Sequence, residues 1–103
     1  HAAGRGQVTV QALARFDQDD VGIAITCALT FTNFDPTGAS AQLVVTSAGG
    51  AAQAPRTMTL TGNVAVYTTV AGDFKAGYYI AEVRVSKAGV SVSSEDFMIV
   101  VDA

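Results

Sequence analysis

Residues 77–85 constrain the fold most, because two kinds of side chain alternate along them with a period of two. Successive side chains of a β-strand point to opposite faces, so this alternation predicts a strand, which we place at the centre of a sheet. The apolar face consists of Tyr79, Ala81, Val83 and Val85. The opposite, amphipathic face consists of Tyr78, Ile80, Glu82 and Arg84. The apolar face needs a second layer to cover it, and the sequence therefore predicts a two-layer β architecture.

The same alternation recurs along the rest of the chain. It is cleanest in residues 23–32, where the residues expected to face the core are Ile23, Ile25, Cys27, Leu29 and Phe31. Further strands are predicted at residues 8–15, 41–47, 57–61, 64–70 and 90–101, separated by turns rich in Gly, Asp, Asn and Pro. About seven short antiparallel strands at this spacing predict an all-β fold, an immunoglobulin-like β-sandwich, with a small β-barrel as the alternative. A change of parity in the last strand predicts a bulge near residues 93–96.

Length and charge limit the domain organisation and the partners. The 103 residues suit one domain, with a flexible N-terminal arm at residues 1–6 and a single sandwich at residues 7–103. No apolar run approaches the roughly 18 residues of a membrane-spanning helix, so we expect no membrane partner. The net charge is −3 and the six Lys and Arg residues are scattered, so we expect no nucleic acid partner.

The residues that commonly carry catalysis are scarce in this sequence. His1 is the only histidine and lies at the N-terminus, so no Ser, Thr or Cys has a positioned imidazole to activate it. Cys27, the only cysteine, lies on the apolar side of its strand and is expected to be a buried small hydrophobe rather than a reactive thiol. We therefore expect a protein that is not an enzyme and needs no cofactor.

Acidic residues offer one weak metal candidate. Asp17, Asp19 and Asp20 could place carboxylates around Ca²⁺, but the glycine and the distal glutamate of an EF-hand loop are missing. A solvated turn that caps a strand is the favoured interpretation, and the calcium site remains the alternative. Glu95 and Asp96 are expected to form a charged edge that discourages pairing between sheets.

The adjacent tyrosines at the start of the central strand are expected to have different roles. Tyr78 and Tyr79 point to opposite faces, so they cannot form one sugar-stacking platform. One is expected to lie in the core and to bond its hydroxyl to the backbone, as in a tyrosine corner. The other, together with Ile80, is expected to be exposed; Tyr78 and Ile80 are our candidates for a protein contact.

Four short motifs occur in a characteristic order. They are Asp20-Val21-Gly22 before the second strand, Asp35-Pro36-Thr37-Gly38-Ala39 in a turn, Gly77-Tyr78-Tyr79-Ile80-Ala81-Glu82-Val83 in the central strand, and Ser94-Glu95-Asp96-Phe97-Met98-Ile99-Val100-Val101 in the last. Together they resemble the immunoglobulin-like domain at the start of tailed-bacteriophage baseplate upper proteins and related tail-fibre proteins. That family shows D-x-G, D-L-T-G-A, Y-x-A-E-V and S-x-x-F-x-I-x-V at the corresponding places. The resemblance covers residues 17–101.

The resemblance implies a structural role in the virion. The domain would act as an adaptor of the tail or baseplate, made in the host cytoplasm, that packs against other virion proteins and is expected to be homo-oligomeric in the assembly. The family has no catalytic residues to transfer. Pro36 stands where the family pattern has Leu, and we expect no receptor-binding or fibre segment after Ala103. A capsid decoration or head-fibre protein is therefore one alternative, and a secreted bacterial module that binds glycan or calcium is another.

Overall fold

The structure is a computed structural model that describes residues 7–11 and 14–103. These residues form nine strands: β1 (Gln7–Gln11), β2 (Ala14–Asp17), β3 (Ala24–Thr32), β4 (Ser40–Ser47), β5 (Arg56–Thr61), β6 (Val64–Thr68), β7 (Gly77–Lys87), β8 (Val90–Ser93) and β9 (Phe97–Asp102). In the described part of the chain, no helix is long and apolar enough to cross a membrane. The arm expected at residues 1–6 lies outside the described residues.

The strands form two layers that are joined along one strand. Hydrogen bonds connect them in the order β1-β3-β6-β5-β4-β7-β9-β2, and β8 pairs with β7 beside β9. The first half of β5 pairs with β4, at Arg56 to Met58, and the second half pairs with β6, at Thr59 to Thr61. The all-β prediction is confirmed: the two layers continue into one another along β5, so that the sheet nearly closes into a barrel, which agrees with a β-sandwich or with the small β-barrel that was the alternative.

β7 lies at the centre of its layer, as its alternation predicts. It pairs antiparallel with β4 along one side, from Ser40↔Ser86 to Ser47↔Tyr79. Along the other side it pairs with β8 and β9. All four residues of the predicted apolar face are buried, namely Tyr79, Ala81, Val83 and Val85. They pack against the apolar face of the other layer, where Ile25, Cys27 and Leu29 of β3 are also buried.

The N-terminal strand prediction needs correction. Instead of a single strand at residues 8–15, β1 pairs antiparallel with β3 and β2 pairs parallel with β9, in the opposite layer. The acidic turn expected at Asp17, Asp19 and Asp20 begins later than predicted, because Asp17 belongs to β2 together with Phe16. The reason is packing: the Phe16 ring is buried edge-to-face against Phe74, with centroids 5.6 Å apart, which extends the strand.

The predicted bulge in the last strand separates β8 from β9. Val92 of β8 and Phe97 of β9 both point into the core although they are five positions apart. In a regular strand, residues on one face are an even number of positions apart, so one extra residue interrupts the pattern between them. Ser94 compensates for the interrupted ladder. Its hydroxyl accepts a hydrogen bond from the Val83 N–H at 2.9 Å and donates one to the Glu95 carbonyl at 2.9 Å. The break is therefore stabilised by a buried side chain.

A buried ion pair stabilises the connection that leads from β6 into β7. The Arg56 Nε donates to Asp73 Oδ1 at 3.0 Å, and only 13% of the Arg56 side chain and 9% of the Asp73 side chain are exposed. The Tyr67 hydroxyl donates to the second Asp73 oxygen, and Gln53 accepts from Arg56 Nη2 at 2.7 Å. The guanidinium lies 4.3 Å from the Phe74 ring centroid, within cation–π range. This network fixes the loop that precedes the central strand.

Candidate protein-contact surface

The outward side of β4, β7 and β9 carries most of the exposed apolar side chains of this layer. Because the inward residues of β7 are known, its outward residues follow by alternation, and strand register identifies their neighbours. Ile80 lies between Thr46 of β4 and Met98 of β9, and Tyr78 lies opposite Val100. We call this surface the contact face and define it by Val44, Thr46, Tyr78, Ile80, Met98 and Val100.

The contact face is exposed and continuous at its centre. The exposed fractions are 60% for Tyr78, 39% for Ile80 and 45% for Met98, whereas Val44 and Val100 are partly buried. Directly opposed residues of antiparallel strands have Cβ atoms about 5 Å apart, so the Ile80 and Met98 side chains are neighbours. Adjacent exposed apolar side chains on a sheet characterise protein-contact surfaces more than isolated ones do.

The two tyrosines have the different surroundings that alternation predicts. Tyr79 is buried, and its hydroxyl donates to the Lys75 carbonyl at 2.7 Å, four residues upstream. This is a tyrosine corner at the entry to β7. Its ring packs edge-to-face against Phe74 at 5.3 Å. Tyr79 therefore fixes the backbone that presents Tyr78 on the contact face.

A cleft overlaps the contact face and extends from β4 across β7 to Asp96. It has a volume of about 440 Å³, and its lining combines apolar, hydroxyl and carboxylate groups: Val44, Thr46, Ser47, Ile80, Glu82 and Asp96 are among its residues. Arg84 Nη2 lies 3.7 Å from Glu82 Oε1, a long ion pair between neighbouring outward positions. The cleft therefore offers apolar contact and negative charge together.

Sequence reasoning identified Tyr78 and Ile80 but missed Met98, Val44 and Val100. A signal for Met98 was present. Phe97, Ile99 and Val101 share the inward parity of the last strand, so Met98 must point outward. That it meets Ile80 could not be read from the sequence, because the register between β7 and β9 depends on the bulge that separates β8 from β9.

The acidic turn is organised around backbone capping. Asp20 Oδ2 accepts the Asp17 N–H at 3.0 Å, and the Asp20 N–H donates to the Asp17 carbonyl at 3.0 Å. Within residues 7–11 and 14–103, no three His, Cys, Asp or Glu residues come together as a group that could hold a metal ion. The weak calcium candidate at Asp17, Asp19 and Asp20 therefore does not assemble, and the capping interpretation accounts for Asp20.

Of the two residues expected to form a charged edge, Glu95 lies at a sheet edge, whereas Asp96 lines the cleft at the contact face. Glu95 Oε1 accepts the Val10 N–H of β1 at 3.1 Å. β1 is the first strand in the sheet order and β2 the last. Glu95 and Asp20 thus each satisfy an outward backbone donor on a terminal strand, which is one way in which proteins protect sheet edges from pairing with other chains.

Cys27 is completely buried in the core, as predicted. Burial raises the pKa of its thiol to about 11. A thiolate is the reactive form of cysteine, so this side chain is poorly suited to nucleophilic chemistry at neutral pH.

Comparison with known proteins gives no family assignment: no family model matches the chain, and no curated protein matches it significantly.

Proposed function

We propose that this chain is a non-enzymatic structural domain of a tailed-bacteriophage virion, an immunoglobulin-like adaptor or accessory domain of the tail or baseplate. It acts through protein contacts made by the contact face. The observation that carries the proposal is the adjacent exposed pair Ile80 and Met98, with Tyr78 beside them, on the outward side of the central strands. The virion assignment rests on the order of the motifs in residues 17–101.

The geometry supports an adaptor in a further way. The contact face lies on strands rather than loops, and β7 is held by pairing on both sides and by the Tyr79 corner. A surface on such elements keeps its shape when a partner binds, so little conformational entropy is lost. A capsid decoration or head-fibre protein would use the same property, and it remains the alternative within the virion.

A secreted bacterial module that binds glycan or calcium is the alternative from another class. Its calcium form relied on Asp17, Asp19 and Asp20, which do not form a metal-ligating group. If calcium nevertheless binds there, it will raise the melting temperature of the protein, and Asp19→Ala with Asp20→Ala will abolish the rise. We expect no calcium-dependent change in either protein.

The virion role is tested by analysing particles produced from the source that encodes the chain. Quantitative mass spectrometry of density-purified particles should detect the chain at a copy number that is a multiple of three, five or six, because virion parts repeat around symmetry axes. Treatment with DNase and washing at high salt should leave that copy number unchanged. Absence of the chain from purified particles would refute the virion role.

A further inference from the structure

The charged side chains around the contact face form two ion pairs and leave one carboxylate unpaired among the described residues. Two basic residues on this side of the layer have acidic partners: Arg84 lies 3.7 Å from Glu82, and Arg15 lies 3.0 Å from Asp102. Asp96, which lines the cleft with Glu82, has no ion-pair partner among the described residues. Because Arg84 offsets Glu82, Asp96 leaves the cleft that Ile80 lines with one unpaired negative charge.

We propose that the contact face binds a segment of a different protein that places a lysine or arginine beside an apolar side chain. This inference rests on the proposed function and specifies the chemistry of its partner. The apolar side chain would cover Ile80 and Met98, and the cation would enter the cleft towards Asp96 and Glu82. Arginine and lysine both bury an apolar stem and carry a charged end, which suits a cleft of mixed lining.

A second copy bound through the same face is a poorer occupant. An isologous contact would bring two acidic clefts into one interface, and like charges across an interface are unfavourable. The chain as a whole carries a net charge of −3, so long-range electrostatics also favour a basic partner over another copy. Copies in an assembly are then expected to touch through other surfaces.

The inference is tested with three short capped peptides as probes: one alternates leucine and lysine, one leucine and glutamate, and one serine and lysine. Binding to the ¹⁵N-labelled full chain is followed by amide chemical shifts. We expect the leucine–lysine peptide to bind most tightly and to shift the amides of Thr46, Ile80 and Met98. The other two peptides lack either the charge or the apolar side chain, and they should bind more weakly.

Matched variants separate the charge from the apolar contact. Asp96→Asn combined with Glu82→Gln should weaken binding of the leucine–lysine peptide about tenfold, whereas Asp19→Asn, in the acidic turn, should leave it unchanged. Ile80→Ser should reduce binding by at least the same factor. Val90→Ser is its control, because Val90 is 54% exposed but lies on β8 outside the contact face.

The following outcomes would overturn the inference. Equal binding of the leucine–glutamate peptide, or an unchanged Kd in the Asp96→Asn and Glu82→Gln protein, would refute the basic partner while leaving the face as a contact surface. Shifts elsewhere, no binding by any peptide, or self-association that competes with the peptide would refute the proposed occupant. Failure of the proposed function is distinguishable, because it would appear as absence of the chain from purified particles.

Discussion

Two arginine–aspartate pairs in this protein have the same separation and very different surroundings. Arg15 Nε–Asp102 and Arg56 Nε–Asp73 are both 3.0 Å apart, but the first pair is exposed and the second is largely buried. Water screens the first pair, whereas the second pair depends on its partners to offset lost hydration. Arg56 Nη1 is buried without a hydrogen-bond partner, so this network stabilises the corner at some cost.

Removing one partner of each pair should therefore have unequal effects. Asp73→Ala should lower the free energy of unfolding by about 3 kcal/mol, because it leaves a buried guanidinium without its carboxylate. Asp102→Ala, the matched exposed change, should lower it far less, because water screens that pair. Chemical denaturation at pH 7 measures both, and equal losses would contradict the distinction drawn between the pairs.

The buried thiol of Cys27 makes stability depend on alkaline pH. Burial raises its pKa from 9.0 to about 11. Between these values the unfolded thiol has lost its proton while the native thiol retains it, so the native state binds more protons and stability falls as pH rises. This contribution is fully present below pH 9. The slope is at most about 1.4 kcal/mol per pH unit for a difference of one proton.

The measurement for Cys27 is denaturation of the wild type and of Cys27→Ala at pH 8, 9 and 10. The wild type should lose more stability than the variant over this range, because only the wild type has the buried thiol. Tyr67, whose pKa is also raised by burial, is retained in both proteins, so its contribution cancels in the comparison. Parallel pH dependences would show that Cys27 does not contribute. A thiol reagent at pH 8 should label the chain only after it unfolds.

At the scale of single elements, the sequence was informative wherever one face of a strand is buried. Alternation correctly identified the inward residues of β3 and β7, since a shift by one residue would expose all of them. It could not show that β2 would pair parallel with β9, because pairing direction depends on which layer the chain enters. The Arg56–Asp73 network could not be predicted from the sequence either, because its members lie in separate segments and meet only when the chain packs.

The two terminal strands provide a prediction about edge protection. Asp20→Ala should speed hydrogen exchange of the Asp17 amide about fivefold, because a hydrogen bond worth about 1 kcal/mol is lost. Glu95→Ala should do the same for the Val10 amide. Both variants should also associate at lower concentration than the wild type, as light scattering would detect.

The neighbouring Asp19→Ala is the control for these edge variants. It removes the same charge from the same turn, and Asp19 accepts no side-chain hydrogen bond in the described structure. Exchange of the Asp17 and Val10 amides should be unchanged in this variant. If Asp19→Ala accelerates exchange or association as much as Asp20→Ala, net charge rather than capping protects the edge.

At the scale of the whole molecule, the outward surfaces of the two layers differ in composition. The outward side of β3 carries threonines and alanines, with exposed Val64 of β6 beside them, whereas the outward side of β7 and β9 carries the adjacent group Tyr78, Ile80 and Met98. The sequence indicated half of this surface through Tyr78 and Ile80. The remainder required the register between β7 and β9, which joins Ile80 to Met98. The asymmetry between the two surfaces leads us to expect one side of the domain to bind and the other to remain in solvent.

Incorporation into particles tests this account most directly. Particles would be produced with wild-type chain, with Ile80→Glu on the contact face, or with Thr26→Glu at an exposed outward position of β3. Circular dichroism and melting temperature would first establish that both variants fold. We predict that the wild type and Thr26→Glu are incorporated equally and that Ile80→Glu is reduced at least tenfold, because a charge is placed in an apolar contact. Incorporation of Ile80→Glu at the wild-type copy number would contradict the account.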